Sequence, residues 1–222
     1  MKILTAPSLF AADLANIEKE VKRTEDAGAD LIHFDIMDGV YVPNMSFGFD
    51  MLKAVRKLTE LPIDAHMMTV CPEKYIETLS KSGADIVSVH NDIGDADMVK
   101  RTLEDINSYG MMAGLALRPR FDAETVLPFI DMVDLILVMT VEPGFSGQKF
   151  MDMSEKIRKI KEYIGDRNIS IEVDGGIKAE TAPVCAVAGA NVFVVGSASY
   201  GAPDMKAALE DVKTAASSVY PG

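Results

Sequence analysis

Histidine is scarce in this chain of 222 residues, and its three copies, His33, His66 and His90, each fall in the last part of a short apolar run of strand type. Side chains along a strand alternate between two faces. In Ile32-His33-Phe34-Asp35-Ile36-Met37 the apolar set Ile32, Phe34 and Ile36 shares one face, which leaves His33, Asp35 and Met37 together on the other. His66 and Met68 likewise share a face, and Glu172 and Asp174 point away from Ile171 and Val173, just before Gly175-Gly176. If these faces turn inward, four groups converge: His33, Asp35, His66 and Asp174. Two imidazoles with two carboxylates are a competent donor set for a borderline divalent ion such as zinc, iron, manganese or cobalt. The competing expectation is that the carboxylates only pair with basic side chains, yet no Lys or Arg stands near the ends of these runs. Buried carboxylates without a cation are costly, so the pattern predicts a metal.

Phosphate chemistry is the second signal. A glycine-containing loop, Glu142-Pro143-Gly144-Phe145-Ser146-Gly147-Gln148, follows the sixth strand-like run, Gly175-Gly176 follows the seventh, and Gly196-Ser197 follows the eighth. Such turns expose backbone N–H groups that suit an oxyanion. Each alone is weak, because turns need glycine anyway, but their placement after three adjacent runs points to one phosphate site. Of 14 methionines, Met37, Met68 and Met139 stand at strand ends near the expected metal. Packing and lining of a substrate pocket are equal expectations for them.

The elements that must position these groups repeat from end to end. Strand-like runs at 3–8, 31–37, 62–67, 86–90, 111–117, 135–141, 170–174 and 191–196 each precede a turn and a helix-like segment, the clearest being 13–27, 50–58, 73–82, 97–108, 155–164 and 205–216. Asp13 reads as a helix N-cap, and Gly28, Gly83 and Gly110 as helix stops. Alternating strands and helices make parallel βαβ units. Eight of them at about 28 residues each predict one (β/α)8 TIM barrel over residues 1–222, in preference to a doubly wound open sheet. In such a barrel the chemistry gathers at the C-terminal ends of the strands, where all the groups above fall.

Composition narrows the partners. With 22 Lys and Arg against 34 Asp and Glu the net charge is −12, which argues against nucleic acid or an anionic membrane as the main partner and leaves a small anionic substrate open. No apolar run reaches the length of a membrane span. The opening residues lack the apolar stretch and cleavage site of a secretory signal, so a cytoplasmic protein is expected. Cys71 and Cys185 make no disulfide framework and read as packing residues.

At these same residues the chain resembles the ribulose-phosphate 3-epimerase family, over essentially its whole length. The matching segments are Ala6-Pro7-Ser8-Leu9, His33-Phe34-Asp35-Ile36-Met37-Asp38-Gly39 with Val42-Pro43-Asn44, His66-Met67-Met68, Val138-Met139-Thr140-Val141-Glu142-Pro143-Gly144-Phe145 and Glu172-Val173-Asp174-Gly175-Gly176. The resemblance implies that His33, Asp35, His66 and Asp174 hold one divalent metal per subunit, zinc ahead of iron, manganese or cobalt. It makes Asp35 and Asp174 the acid/base pair that inverts carbon 3 of D-ribulose 5-phosphate through an enediolate. Ser8 and His66 would contact this small phosphorylated ketose. Gly144, Phe145, Ser146, Gly147, Gly175, Gly176, Gly196 and Ser197 would hold its phosphate, with Met37, Met68 and Met139 around the reacting carbons. A homodimer or homohexamer is implied as well.

Some positions depart from the family pattern. His90-Asn91-Asp92 stands where His-x-Glu is usual, Arg118-Pro119-Arg120 where Pro-x-Thr is usual, Ser146 where glycine is usual, and Ser199-Tyr200 replaces an aliphatic-aromatic pair. None removes an expected metal ligand. They bear on the pocket rim, so D-allulose 6-phosphate is the close alternative substrate. A non-catalytic sugar-phosphate-binding barrel and a metal-dependent hydrolase are more remote readings.

Overall fold

The structure, a computed structural model, describes residues 1–222. Apolar runs buried on both faces become the strands of a parallel sheet: all six residues of Ile32–Met37 and of Ile63–Met68 are buried. In chain order the elements are β1 (Leu4–Pro7), α1 (Ile17–Asp26), β2 (Ile32–Met37), α2 (Phe49–Arg56), β3 (Ile63–Met68), α3 (Ile76–Ser82), β4 (Ile86–His90), α4 (Ala96–Ser108) and β5 (Met112–Leu117). There follow β6 (Leu135–Met139), α5 (Ser154–Ile164), β7 (Ser170–Asp174), α6 (Ala182–Ala186), β8 (Val192–Val195), α7 (Ser197–Tyr200) and α8 (Met205–Ser217). All eight strands pair in parallel in the order β1-β8-β7-β6-β5-β4-β3-β2. The last seam, β1 to β2, closes the barrel without a full ladder, through an isolated Ser8–His33 bridge above and backbone N–H groups of Asp30 and Leu31 on the Thr5 carbonyl below. No helix is long and apolar enough to cross a membrane.

The foot of the barrel has a four-fold pattern. Asp30, Asp85, Asp134 and Asn191 stand at the base of the even-numbered strands. Each side chain accepts the N–H of one residue on the preceding odd strand, respectively Thr5 at 2.9 Å, Ile63 at 2.8 Å, Ala113 at 2.9 Å and Ile171 at 2.8 Å. Each also donates its own N–H back to the carbonyl of that same residue, at 3.1, 2.9, 2.8 and 2.9 Å. These reciprocal clasps satisfy backbone groups at strand starts that a ladder would leave unpaired.

Between sheet and helices lies the main apolar core, where Phe34, Ile36, Leu52, Val55 and Leu79 pack. The barrel interior is divided. Ala116, Leu135, Leu137 and Met139 fill the side of β5 and β6 with apolar groups, whereas His33, Asp64, His66, Ser88, His90 and Glu172 bury polar groups on the side of β2, β3, β4 and β7.

Three expectations about helices shift. Asp13 caps a short 3-10 turn, accepting the Ala15 N–H, and α1 begins only at Ile17. The segment from Glu73 opens as a 3-10 turn over Pro72–Lys74 before α3. After β5 the connection is 3-10, Ala123–Phe129, because Pro128 inside it removes a donor that an α-helix needs. Gly28, Gly83 and Gly110 do stand at helix ends, each with positive φ.

Candidate functional site

Strand register assembles the site. β2 and β3 pair so that Asp35 lies beside His66, His33 beside Asp64 and Met37 beside Met68, while Asp174 on β7 lies beside Met139 on β6. Alternation then turns these groups inward. His33, Asp35, His66 and Asp174 come together, with one donor atom from each lying within 4.8 Å of all the others. Asp35 Oδ1 is 3.2 Å from His66 Nδ1 and 3.4 Å from His33 Nε2, and the two imidazole rings stand 5.3 Å apart. Ser8 Oγ donates to the other oxygen, Asp35 Oδ2, at 2.6 Å.

His33 is wholly buried, and its Nδ1 sits 2.8 Å from Asp64 Oδ2. A carboxylate only accepts, so Nδ1 carries the hydrogen and Nε2 turns to the cluster. There Nε2 has no hydrogen-bond partner. A buried nitrogen aimed without a partner into a pair of carboxylates fits a cation ligand, and a carboxylate on the outer nitrogen is the usual support for such a ligand. The donor set of two nitrogens and two carboxylates suits a divalent metal.

Burial and neighbouring charge set the protonation of the site. Burial would raise Asp35, but the flanking His33, then His66, hold it far below the usual carboxylate range. Burial and the charge of Asp35 push Asp174 up to about 6. Deeper in the barrel, burial and the charge of Asp64 push Glu172 up to about 8. Burial would lower His33, yet the carboxylates of Asp35, Asp64 and Glu172 raise it well above its ordinary value. The two aspartates thus differ strongly in proton affinity, the arrangement from which acid and base roles are drawn.

Above the cluster opens a cavity of about 500 Å³, with Asp35 and Asp174 in its wall. The rest of the wall includes Ser8, Met37, Met68 and Met139 at the cluster end, and Gly144, Phe145, Ser146, Gly147, Gly175, Gly176, Gly196 and Ser197 toward the other. Backbone approach at that end requires glycine. A Cβ on Gly175, where φ is +125°, would lie 2.5 Å from Val141 Cγ2 and 2.8 Å from the Val141 nitrogen. One on Gly176 would lie 2.9 Å from the Phe150 nitrogen. His33 and His66 do not line the cavity; both lie beneath it with no exposed surface, His66 within the four-residue cluster.

Four groups that sequence reasoning left without a role belong to the same neighbourhood. Asp64 and Glu172 lie beneath His33, at 2.8 and 3.6 Å. His90, buried at the end of β4, places Nε2 at 2.9 Å from His66 Nε2. Asn44 reaches across the mouth, Nδ2 donating to the Gly144 carbonyl at 2.7 Å. The two arginines after β5 turn away from the cavity: Arg118 donates to the Tyr41 hydroxyl and carbonyl, and Arg120 to Asp92.

Against known proteins, the model of the Ribulose-phosphate 3 epimerase family matches residues 4–200. A Bacillus subtilis (strain 168) protein named ribulose-phosphate 3-epimerase is 43% identical over 215 residues, 95% of this chain and 98% of its own. An Aquifex aeolicus protein of the same name is 41% identical over 217 residues, covering 96% of each. Among solved structures, 3-hexulose-6-phosphate synthase from Salmonella typhimurium superposes with a TM-score of 0.76 at 19% identity over 98% of this chain and 100% of its own, a likeness of fold.

Proposed function

The chain belongs to the ribulose-phosphate 3-epimerase family, and we propose that it inverts carbon 3 of D-ribulose 5-phosphate to give D-xylulose 5-phosphate, with Asp35 and Asp174 as the acid/base pair. The observation that carries the reading is the placement of these two carboxylates. They are the members of the four-residue cluster that reach the cavity wall, while His33 and His66 stay beneath it.

Inversion at a carbon next to a carbonyl needs a proton removed from one face and another delivered to the opposite face. Two carboxylates from strands separated around the barrel do this without either having to move. Asp35 is ionised in its surroundings, so it has an oxygen free to accept a proton once the bound substrate has displaced water around it. Asp174, pushed up to about 6, holds one more readily, and the reverse reaction exchanges the roles. Ser8 keeps Asp35 Oδ2 occupied, which directs Oδ1 toward the cluster. Met37, Met68 and Met139 line the reacting end with apolar thioethers and exclude water. At the far end the glycine turns after β6, β7 and β8 offer backbone to the phosphate.

His33 Nε2, His66 Nδ1 and the two aspartates would hold a divalent ion, zinc ahead of iron, manganese or cobalt. Such an ion supplies Lewis-acid stabilisation of the negative charge that builds on the ketose oxygens when the C3 proton leaves.

The test is solvent deuterium incorporation at carbon 3 of D-ribulose 5-phosphate, with D-allulose 6-phosphate in parallel to decide chain length. Exchange is expected in the wild type, lost in Asp35→Asn and Asp174→Asn and lost on chelation. A double Asn variant that still exchanges at the wild-type rate overturns the proposal.

A further inference from the structure

Planar groups follow one another from the cluster to the rim, each ring tilted against the next by 33° to 55°. The rings of His33 and His66 are 5.3 Å apart, those of His66 and His90 5.1 Å, and those of His90 and Tyr41 4.9 Å. The Arg118 guanidinium then lies 4.0 Å over the Tyr41 ring. The outer end is pinned: Tyr41 donates to Asp92 at 2.6 Å, Arg118 donates to the Tyr41 hydroxyl at 2.8 Å, and Arg120 donates to Asp92 at 2.7 Å. His90 therefore stands behind His66 in a fixed orientation, fully buried, with its Nε2 at 2.9 Å from His66 Nε2.

At that distance two ring nitrogens share one hydrogen. The other nitrogen of His66, Nδ1, faces Asp35 at 3.2 Å. A neutral imidazole that gives its Nδ1 lone pair to a cation must carry its hydrogen on Nε2. That hydrogen can go only toward His90, whose Nε2 must then accept, with the His90 hydrogen on Nδ1.

We propose that His90 is a positioning residue, which accepts the Nε2–H of His66 and so fixes Nδ1 of that ring as the metal-facing nitrogen. It is the counterpart, on β4, of Asp64 beneath His33: each inward imidazole has a partner on its outer nitrogen, one a carboxylate and the other a second imidazole. The inference rests on the reading of His66 as a metal ligand.

Nitrogen-15 NMR of the zinc-loaded wild type reads the arrangement directly, and zinc affinity by competition with a chromophoric chelator reads its consequence. The expected spectrum shows His66 with zinc on Nδ1 and hydrogen on Nε2, and His90 with a bare Nε2. His90→Gln keeps an acceptor oxygen and should hold zinc within about threefold of wild type, whereas His90→Leu should weaken it by about 10–100-fold. A protonated His90 Nε2, a Leu variant that binds zinc like wild type, or Gln and Leu variants weakened alike would each overturn the positioning role while leaving the metal site standing. Zinc that shifts neither His33 nor His66 would overturn the metal reading and the positioning role with it.

Discussion

Replacing Ser8 by Ala removes one oxygen, and that oxygen makes the 2.6 Å hydrogen bond to Asp35 Oδ2 at the seam where the barrel closes. Ser8 is 6% exposed and Asp35 5%, so water does not readily take the place of the lost donor. A hydrogen bond to a charged group is worth roughly 1.5–3 kcal/mol. If that interaction holds the working carboxylate in place, its loss corresponds to about a 10- to 150-fold fall in kcat/KM, at about 1.4 kcal/mol per tenfold. The same hydroxyl also accepts the Phe10 N–H at 3.3 Å as the cap of a short turn. Losing a cap costs about 1 kcal/mol, equivalent to about 2–4 °C of Tm for a chain of this size. The Ser8→Ala protein should therefore stay folded, lose turnover, and keep KM within about threefold. Steady-state kinetics on D-ribulose 5-phosphate and a thermal melt measure both sides. A kcat unchanged with Tm down by the expected few degrees would show that Ser8 does not hold Asp35. A rise in KM alone would make Ser8 a substrate contact.

At the foot of the barrel Asp30→Ala should leave kcat and KM unchanged but lower stability by about 1.5–3 kcal/mol, because the Thr5 N–H loses a charged acceptor, and chemical denaturation measures it. Burial would raise Asp30, yet Lys213, the Thr5 N–H and Lys2 hold it below the usual aspartate range. Its contribution is therefore complete above that range and drains away as the pH falls through it, so wild type and Asp30→Ala should converge in stability in acid. An unchanged gap between them at low pH would refute this. Asn44→Ala removes the link to the Gly144 carbonyl, and a neutral hydrogen bond of about 0.5–1.5 kcal/mol predicts KM raised about 2- to 12-fold with Tm held. Gly175→Ala meets Val141 at a φ of +125°. It should cost about 1–3 kcal/mol in strain and weaken binding of inorganic phosphate, and an isothermal titration matching wild type would exclude the glycine turn from the phosphate site.

The four clustered groups were legible because alternation alone decides which side of a strand a residue takes, and the runs of His33 and His66 carry unmistakably apolar partners on the other face. Depth is not legible in that way. Asp64 shares the inward face with His66, two residues on, but only the pairing of His33 with Asp64 shows that it lies against His33. Glu172 reads as inward, but the burial and the nearby Asp64 that raise its proton affinity are not visible in the sequence. His90 sat in the right register and lacked a role because its partner, His66, is on another strand. The arginines after β5 looked like rim charges and proved to be held by Tyr41 and Asp92, a contact between loops that no local pattern encodes. Pro128 carried a plain signal against an α-helix, and the regularity of the other seven units masked it.

The reciprocal clasps at the foot bear on the order in which the molecule can be made. Their partners are 25, 22, 21 and 20 residues apart in the chain, so each odd strand and its even successor can join as a local unit before any distant pairing forms. The fold is thus divisible into four quarters of local contacts, and only the meeting of the first with the last brings the two ends of the chain together. Asp35, His66 and Asp174 belong to three different quarters. Asp35 and His66 meet across the β2–β3 pair, but bringing Asp174 to them takes strands from three of the four quarters.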